Sequence, residues 1–195
     1  MISTQVQGCQ FYPWSTLRPI LWTKCLNGAY HYLSNIFSKC SLRLRYQGLP
    51  KAIKYNQEDY SDIPDEELAH VTRGRALEIY TWLFRPFLYY AIHRPANDPH
   101  RAAVQGFVDS AIKIARGTIG EGILHHRHHG TWFHLRNGTS AALSILAAHK
   151  CGHIELPPDW REVVRTQISV LEFWEKESPD ITKAKDVLTT LILEC

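Results

Sequence analysis

Residues 76–92 read ALEIYTWLFRPFLYYAI, and this stretch decides the fold. Its only charged residues, Glu78 and Arg85, lie seven positions apart and therefore share one face of an α-helix. A helix that is apolar nearly all round is typical of a buried helix. Pro86 lacks a backbone donor and its ring crowds the preceding turn, so we expect a kink or a break there. The stretch predicts a buried central helix that ends before Pro95.

Start and stop signals for helices surround this stretch on both sides. An acidic run at 57–67 that includes Pro64 favours a helix start just upstream. Four further helices are predicted downstream, beginning at Asn97-Asp98-Pro99, at Thr131, at Pro157-Pro158-Asp159 and at Ser178-Pro179. The helix from Thr131 should end at Lys150, because Gly152 follows it as a C-terminal stop. The sequence therefore predicts an all-α fold, an irregular helical bundle of about five to seven helices.

Composition limits the class of protein. The 195 residues carry 22 Lys and Arg against 19 Asp and Glu, a net charge of +3 that is too balanced to indicate a nucleic-acid binder by itself. The five cysteines contain no Cys-x-x-Cys pair, which excludes a zinc ribbon or redox dithiol of local spacing. No apolar run is long enough to predict a membrane span. We expect a poorly defined, partly helical N-terminal segment at 1–50 and an all-α domain at 51–195.

Residues 125–134, HHRHHGTWFH, place five of the eleven histidines at one predicted helix junction. Because imidazole is a common metal ligand, a metal site is one interpretation. The spacing fits neither His-Glu-x-x-His nor Glu-x-x-His, since Glu121 lies four positions before His125. We favour a structural junction in which imidazoles bond backbone carbonyls or stay solvated. The basic residues of 101–136 likewise fit either an anion site or, as we favour, a solvated basic face.

Five motifs follow one another along the chain: RPFLYYAIH at 85–93, RHHGTW at 127–132, LR at 135–136, LPPDWR at 156–161 and WEKESPD at 174–180. Together they resemble the regulatory (middle homology) region of fungal zinc-cluster transcription factors. Each motif is modest alone, and five in series are fairly specific. The resemblance covers about residues 42–195, and it corresponds to the C-terminal half of that region.

The resemblance implies an all-α regulatory or interaction domain, without enzymatic activity, in a nuclear protein that regulates transcription by RNA polymerase II. In that family the zinc belongs to a six-cysteine DNA-binding module, and no such cysteine cluster occurs in this sequence. We therefore expect no cofactor or metal in this chain, no direct specific DNA binding, and a truncated or fragmentary gene product. The expected partners are protein helices or a second copy of the chain, together with a small-molecule effector.

The residues that we expect to matter most form a buried polar network at the helix junction. They are Arg85, Tyr89, Arg127, His128, His129, Trp132 and Arg136. Buried arginine and histidine need partners, which we expect to be Glu78 or helix-end carbonyls, and Trp132 should pack in the core facing the helix of Phe87. Two other interpretations stay open: a histidine-dependent metalloenzyme on a helical scaffold, and a stand-alone dimerisation module.

Overall fold

A computed structural model describes residues 48–56, 67–120 and 130–195. The chain divides into two units after Leu49, and every element below belongs to the second unit, Pro50–Cys195. After a short 3-10 turn at Lys51–Ile53, its helices are α1 (Glu67–His93), α2 (Arg101–Gly120), α3 (Thr131–Lys150), α4 (Trp160–Trp174), a 3-10 turn at Glu175–Glu177, and α5 (Pro179–Leu193). The described residues contain no strand. The all-α prediction is confirmed, and the described part of the chain holds five α-helices.

Helix α1 runs without a break through Pro86, and it is buried on one side only. Its buried side, which packs mainly on α2, includes Ala69, Leu77, Phe84, Phe87, Leu88 and Ala91. Its opposite side exposes several large apolar residues: Leu68, Val71, Ile79, Trp82 and Tyr89. The prediction of a helix buried all round is therefore wrong. Both faces of α1 are apolar in sequence, but only one of them is covered.

Helix α2 is the central element, because α1, α3 and α4 all pack against it. Val108, Ile114 and Ile119 are almost fully buried along it. On the α1 side, the ring of Phe107 stacks on Phe87 with 4.6 Å between centroids. Tight contacts of this kind fix the two long helices side by side.

The start of α2 is set by Asp98, whose carboxylate Oδ1 accepts a hydrogen bond from the backbone N–H of His100 at 2.9 Å. The helix itself begins at Arg101, slightly beyond the predicted Asn97-Asp98-Pro99 signal. The short polar side chain stabilises the turn that leads into the helix, which is the usual role of such residues at helix starts.

Helix α3 has the bounds that the sequence predicts, Thr131–Lys150, and Gly152 follows it with a left-handed φ of 72°. A residue with a side chain is strained in that conformation, whereas glycine adopts it freely. This explains why the helix ends just before Gly152. In its middle, Gly138 makes room for Gln167 of α4: a Cβ at Gly138 would lie 2.7 Å from the Gln167 Cδ. The close approach of α3 and α4 thus depends on the missing side chain.

Helices α4 and α5 complete the bundle. Ser178 precedes Pro179 and its hydroxyl accepts from the backbone N–H of Asp180, so the predicted start of α5 is confirmed. Val164, Leu171 and Leu188 join the core formed by α2 and α3.

Two side chains fix the far end of α5. Lys150 Nζ pairs with the Glu194 carboxylate at 2.6 Å, and Arg161 donates to the Cys195 main-chain oxygen at 2.7 Å. The C-terminal end of α5 is therefore held to both α3 and α4.

We predict that Gly138→Ala destabilises the protein by about 1–3 kcal/mol, because the added methyl group overlaps the buried side chain of Gln167, which must shift out of its packed position. The free energy of unfolding in urea measures this loss. In the Gln167→Ala background the same substitution should become neutral or stabilising, since the overlapping atoms are gone.

Gly106→Ala is the matched control, because no atom lies within 4 Å of a Cβ at that exposed position of α2. There the better helix propensity of alanine should stabilise by about 0.5–1 kcal/mol. Equal effects at positions 106 and 138 would contradict the packing described for α3 and α4.

Candidate functional site

Four of the seven residues predicted to form a polar network lie in the described part of the chain. Arg85 and Tyr89 are on α1, and Trp132 and Arg136 are on the first turns of α3. The other three, Arg127, His128 and His129, lie outside the described residues, as do the remaining residues of the histidine run before Gly130.

The predicted burial of these four residues is wrong. Tyr89 is 42% exposed, Trp132 is 46% exposed, Arg136 is exposed and Arg85 is half-buried. None of the four makes a side-chain hydrogen bond or ion pair within the part of the chain that the structure describes. A polar side chain that solvent can reach needs no buried partner, so the physical reason for expecting these four residues to be paired disappears.

Trp132 is also not the core residue that was expected to face the helix of Phe87, since it is 46% exposed. The Phe87 ring stacks on Phe107 of α2 instead, and Trp132 lines a cleft toward α5. Because about half of the Trp132 side chain already faces solvent, Trp132→Ala should lower the free energy of unfolding clearly less than the loss of a fully buried tryptophan would.

Among the described residues, the fully buried cation is Arg73, which the sequence analysis missed. Arg73 is fully buried on α1, and its Nη2 reaches the carbonyl oxygen of Gly117 in the last turn of α2 at 3.4 Å. Carbonyls at a helix C-terminus lack partners within the helix and carry the negative end of its dipole, so a guanidinium is favourable there. The available signal was spacing: Ala69, Arg73 and Leu77 recur at four-residue steps along the buried side.

A second polar junction ties α1, α2 and the α3–α4 connection together at the Ala91 carbonyl oxygen. Arg101 Nη1 donates to this oxygen at 2.8 Å, and its Nη2 donates to the carbonyl of His153 at 2.9 Å. The His153 ring places Nε2 at 2.8 Å from the same Ala91 oxygen and Nδ1 at 2.9 Å from the Cys151 carbonyl. Arg101 thus donates to two backbone carbonyls, and one ring N–H of His153 donates to one of the two carbonyls that the ring faces.

Beside this junction, the buried Tyr90 hydroxyl donates to Asp98 Oδ1 at 2.7 Å. Burial, with the Asp98 hydrogen bond as a further cause, raises the pKa of Tyr90 to about 12. The same hydrogen bond is the main cause that lowers the pKa of the Asp98 carboxyl, while burial acts in the opposite direction. The pair links the last turn of α1 to the start of α2.

The exposed side of α1 forms a continuous line of side chains, which we name the outer stripe. Its members are Leu68, Val71, Arg75, Ile79, Trp82, Pro86 and Tyr89, all of them exposed. Trp82 is 72% exposed, which is unusual for the largest apolar side chain. A contiguous apolar patch of this kind marks an interaction surface more often than a solvated face.

Only one stripe residue is charged. Arg75 Nη1 bonds Glu78 Oε2 at 3.0 Å, and its guanidinium carbon lies 5.8 Å from the ring centre of Phe133 on α3. The side chain of Arg75 stays 64% exposed, so its guanidinium remains open to a further contact.

A cleft of about 350 Å³ lies between the N-terminal half of α3 and α5. Its walls are mainly apolar, from Leu135, Leu143, Leu171, Ile181 and Ala184. Arg136 and Asp180 lie at its border, and the Asp180 carboxylate oxygen Oδ1 is 3.7 Å from Lys183 Nζ. A volume of this size is at the lower end of the range for small-molecule sites.

Some of the basic residues between 101 and 136 are bonded to other groups of the folded chain. Arg101 bonds the two carbonyls described above, and Arg116 pairs with Asp159 at the start of α4.

Within the described residues, no group of three or more His, Cys, Asp or Glu side chains is placed to hold a metal ion. The described helices also include none with the length and apolar character needed to cross a membrane.

Compared with protein-family models, curated proteins and solved structures, the chain gives no match in any of the three comparisons. The resemblance to fungal regulatory regions accordingly depends on the five motifs alone.

We predict that Tyr90→Phe lowers the free energy of unfolding at neutral pH by about 1.5–3 kcal/mol, because it removes a hydrogen bond to a charged acceptor. The loss should shrink as the pH falls below about 4. There the Asp98 carboxylate gains a proton in the unfolded chain before it does in the folded protein, because the Tyr90 hydrogen bond lowers its pKa in the folded state. The stabilisation that depends on the charged carboxylate is therefore lost at low pH. In the wild type, the free energy of unfolding should also fall between about pH 10 and 12. In that range Tyr90 is ionised in the unfolded chain but still protonated in the folded protein.

Urea unfolding at pH 7, 3 and 11 measures these differences. Tyr89→Phe is the control, since the Tyr89 hydroxyl is exposed and has no side-chain partner among the described residues. If both phenylalanine variants behave alike at neutral pH, the Tyr90–Asp98 bond does not stabilise the fold.

Proposed function

We propose that this chain is a regulatory or interaction domain that works by packing against helices of other proteins. The observation that carries the proposal is the outer stripe of α1, with Trp82 72% exposed at its centre. Covering such side chains releases roughly 25 cal/mol for each Å² of apolar surface removed from water. Exposed tryptophan and arginine together are also the residue types enriched at the energetic centres of protein interfaces.

The motifs that resemble fungal zinc-cluster regulators support a transcriptional setting for this interaction. In this proposal the domain acts in the nucleus, modulates transcription by RNA polymerase II through its protein contacts, and catalyses no reaction. Direct reading of DNA is not part of the proposal, because specific readout needs several side chains on base edges and phosphates. Zinc likewise belongs to the DNA-binding module of the resembled family.

A tethering experiment tests this function. The full chain is fused to a heterologous DNA-binding domain upstream of a reporter gene in a fungal cell. We expect reporter output to differ from that of the DNA-binding domain alone, and Trp82→Ala to abolish the difference, because it removes the centre of the outer stripe.

Phe173→Ala is the matched control, since Phe173 is an aromatic residue of α4 that is 66% exposed and lies outside the outer stripe. It should leave the reporter response intact at equal protein level. No response from the wild-type fusion, or equal loss in both variants, would contradict the proposed function.

A second candidate for the same domain is recognition of an effector in the cleft between α3 and α5. Arg136 favours it, because this exposed guanidinium has no side-chain partner among the described residues and borders an apolar cleft. That combination suits a small apolar carboxylate, whose charge the guanidinium binds and whose tail the leucines cover.

We expect an aromatic or branched-chain monocarboxylate at about 100 times its Kd to raise the Tm by about 5–10 °C. Arg136→Gln should remove this shift in a thermal melt, while Arg165→Gln, on the exposed side of α4, should retain it. No shift with any such carboxylate, or a shift that Arg136→Gln leaves unchanged, would reject the cleft as an effector site.

A further inference from the structure

We infer that the outer stripe of α1 binds the outer stripe of a second copy of the same chain, with the two helices antiparallel. This inference rests on the proposed function, and it names the partner. Three features of the stripe support it: the spacing of its residues, its symmetry and the position of its single charge.

The spacing of the stripe suits a helix–helix contact. Its residues follow one another at steps of three or four from Leu68 to Tyr89. At 100° per residue, all seven fall within a band about 80° wide on the helix surface. Such a narrow, straight line of side chains is what one helix presents to another along several turns.

The stripe is also close to symmetric when it is read in reverse. A two-fold axis between positions 78 and 79 sets Leu68 opposite Tyr89 and Val71 opposite Pro86, and it sets Arg75 opposite Trp82. Ile79 lies beside the axis and meets its own counterpart. A surface that complements itself in this way is the requirement for an isologous dimer, in which the same patch is used by both subunits.

The position of the charge selects the antiparallel orientation. In that orientation the Arg75 guanidinium of each copy faces the Trp82 ring of the other, which is a favourable cation–π arrangement. A parallel pair in register would instead set Arg75 against Arg75, and like charges that face each other oppose association. The same residue therefore favours one orientation and disfavours the other.

The most exposed apolar residues of the stripe are large. Leu68, Ile79 and Trp82 are each more than half exposed, so they supply most of the area that a dimer through the stripe would bury. Trp82, near the middle and most exposed of them, should be the main energetic contact.

Sedimentation analysis of the full chain over a range of concentrations tests the association. We expect a monomer–dimer equilibrium for the wild type. Trp82→Ala should raise the dimer Kd by about 30-fold or more, as for the loss of a hot-spot residue. Because Trp82 is mostly exposed, this variant should keep its far-UV circular dichroism, and it should keep the wild-type Tm at concentrations where both chains are monomeric. Phe173→Ala should keep the wild-type Kd.

Single cysteine variants test the orientation, with the wild-type chain under the same oxidant as background. Ile79→Cys should form a covalent dimer, because position 79 lies beside the two-fold axis. Leu68→Cys and Tyr89→Cys should cross-link efficiently only when they are mixed. Cross-linking of Leu68→Cys with itself would overturn the antiparallel arrangement.

A wild-type chain that stays monomeric at the highest concentration it tolerates would overturn the inference. So would a dimer whose Kd Trp82→Ala leaves unchanged. If the reporter response still depends on Trp82 in either case, the proposed function stands and its partner is another protein. If the chain dimerises through Trp82 but gives no reporter response, the dimer stands and the regulatory function fails.

Discussion

The Ala91 carbonyl oxygen is the contact on which the arrangement of this domain most depends. Arg101 and His153 both reach it at 2.8 Å, and they bring together the end of α1, the start of α2 and the connection from α3 to α4. A buried carbonyl without partners is costly, so this set of bonds holds the turn between the two long helices in one geometry. That turn determines which side of α1 is covered by α2 and which side is left open.

The covered and open sides of α1 then account for the rest of the molecule. On the covered side, α1 places its aromatic residues against Phe107 and its one buried guanidinium on the last turn of α2. On the open side, it leaves a line of mostly apolar side chains around Trp82 that are exposed to solvent. The stability of the fold and the proposed interaction thus both depend on one helix that is apolar on both faces.

Much of the fold can be predicted from the sequence, because helix ends are encoded locally. Gly152 stops α3 and Ser178-Pro179 starts α5, and both signals depend only on neighbouring residues. The burial of α1 could not be predicted in this way, since hydrophobic periodicity does not say which apolar face finds a neighbour. For the same reason, the sequence does not reveal that Arg73 is buried or that Tyr89 and Trp132 are exposed. Residue type suggests one environment for these side chains, but packing between distant segments determines another. The interaction with other protein helices stays a prediction, and the surface proposed for it is the apolar outer stripe instead of the polar residues.

The central claim is that the outer stripe of α1 is an interface, and hydroxyl-radical footprinting across a range of protein concentrations tests it most directly. Oxidation of a side chain by this reagent follows its exposure to solvent. The account predicts that Trp82 is oxidised readily in dilute protein and is protected as the concentration rises, while Phe173 is oxidised equally throughout. Equal oxidation of Trp82 at every concentration would contradict it.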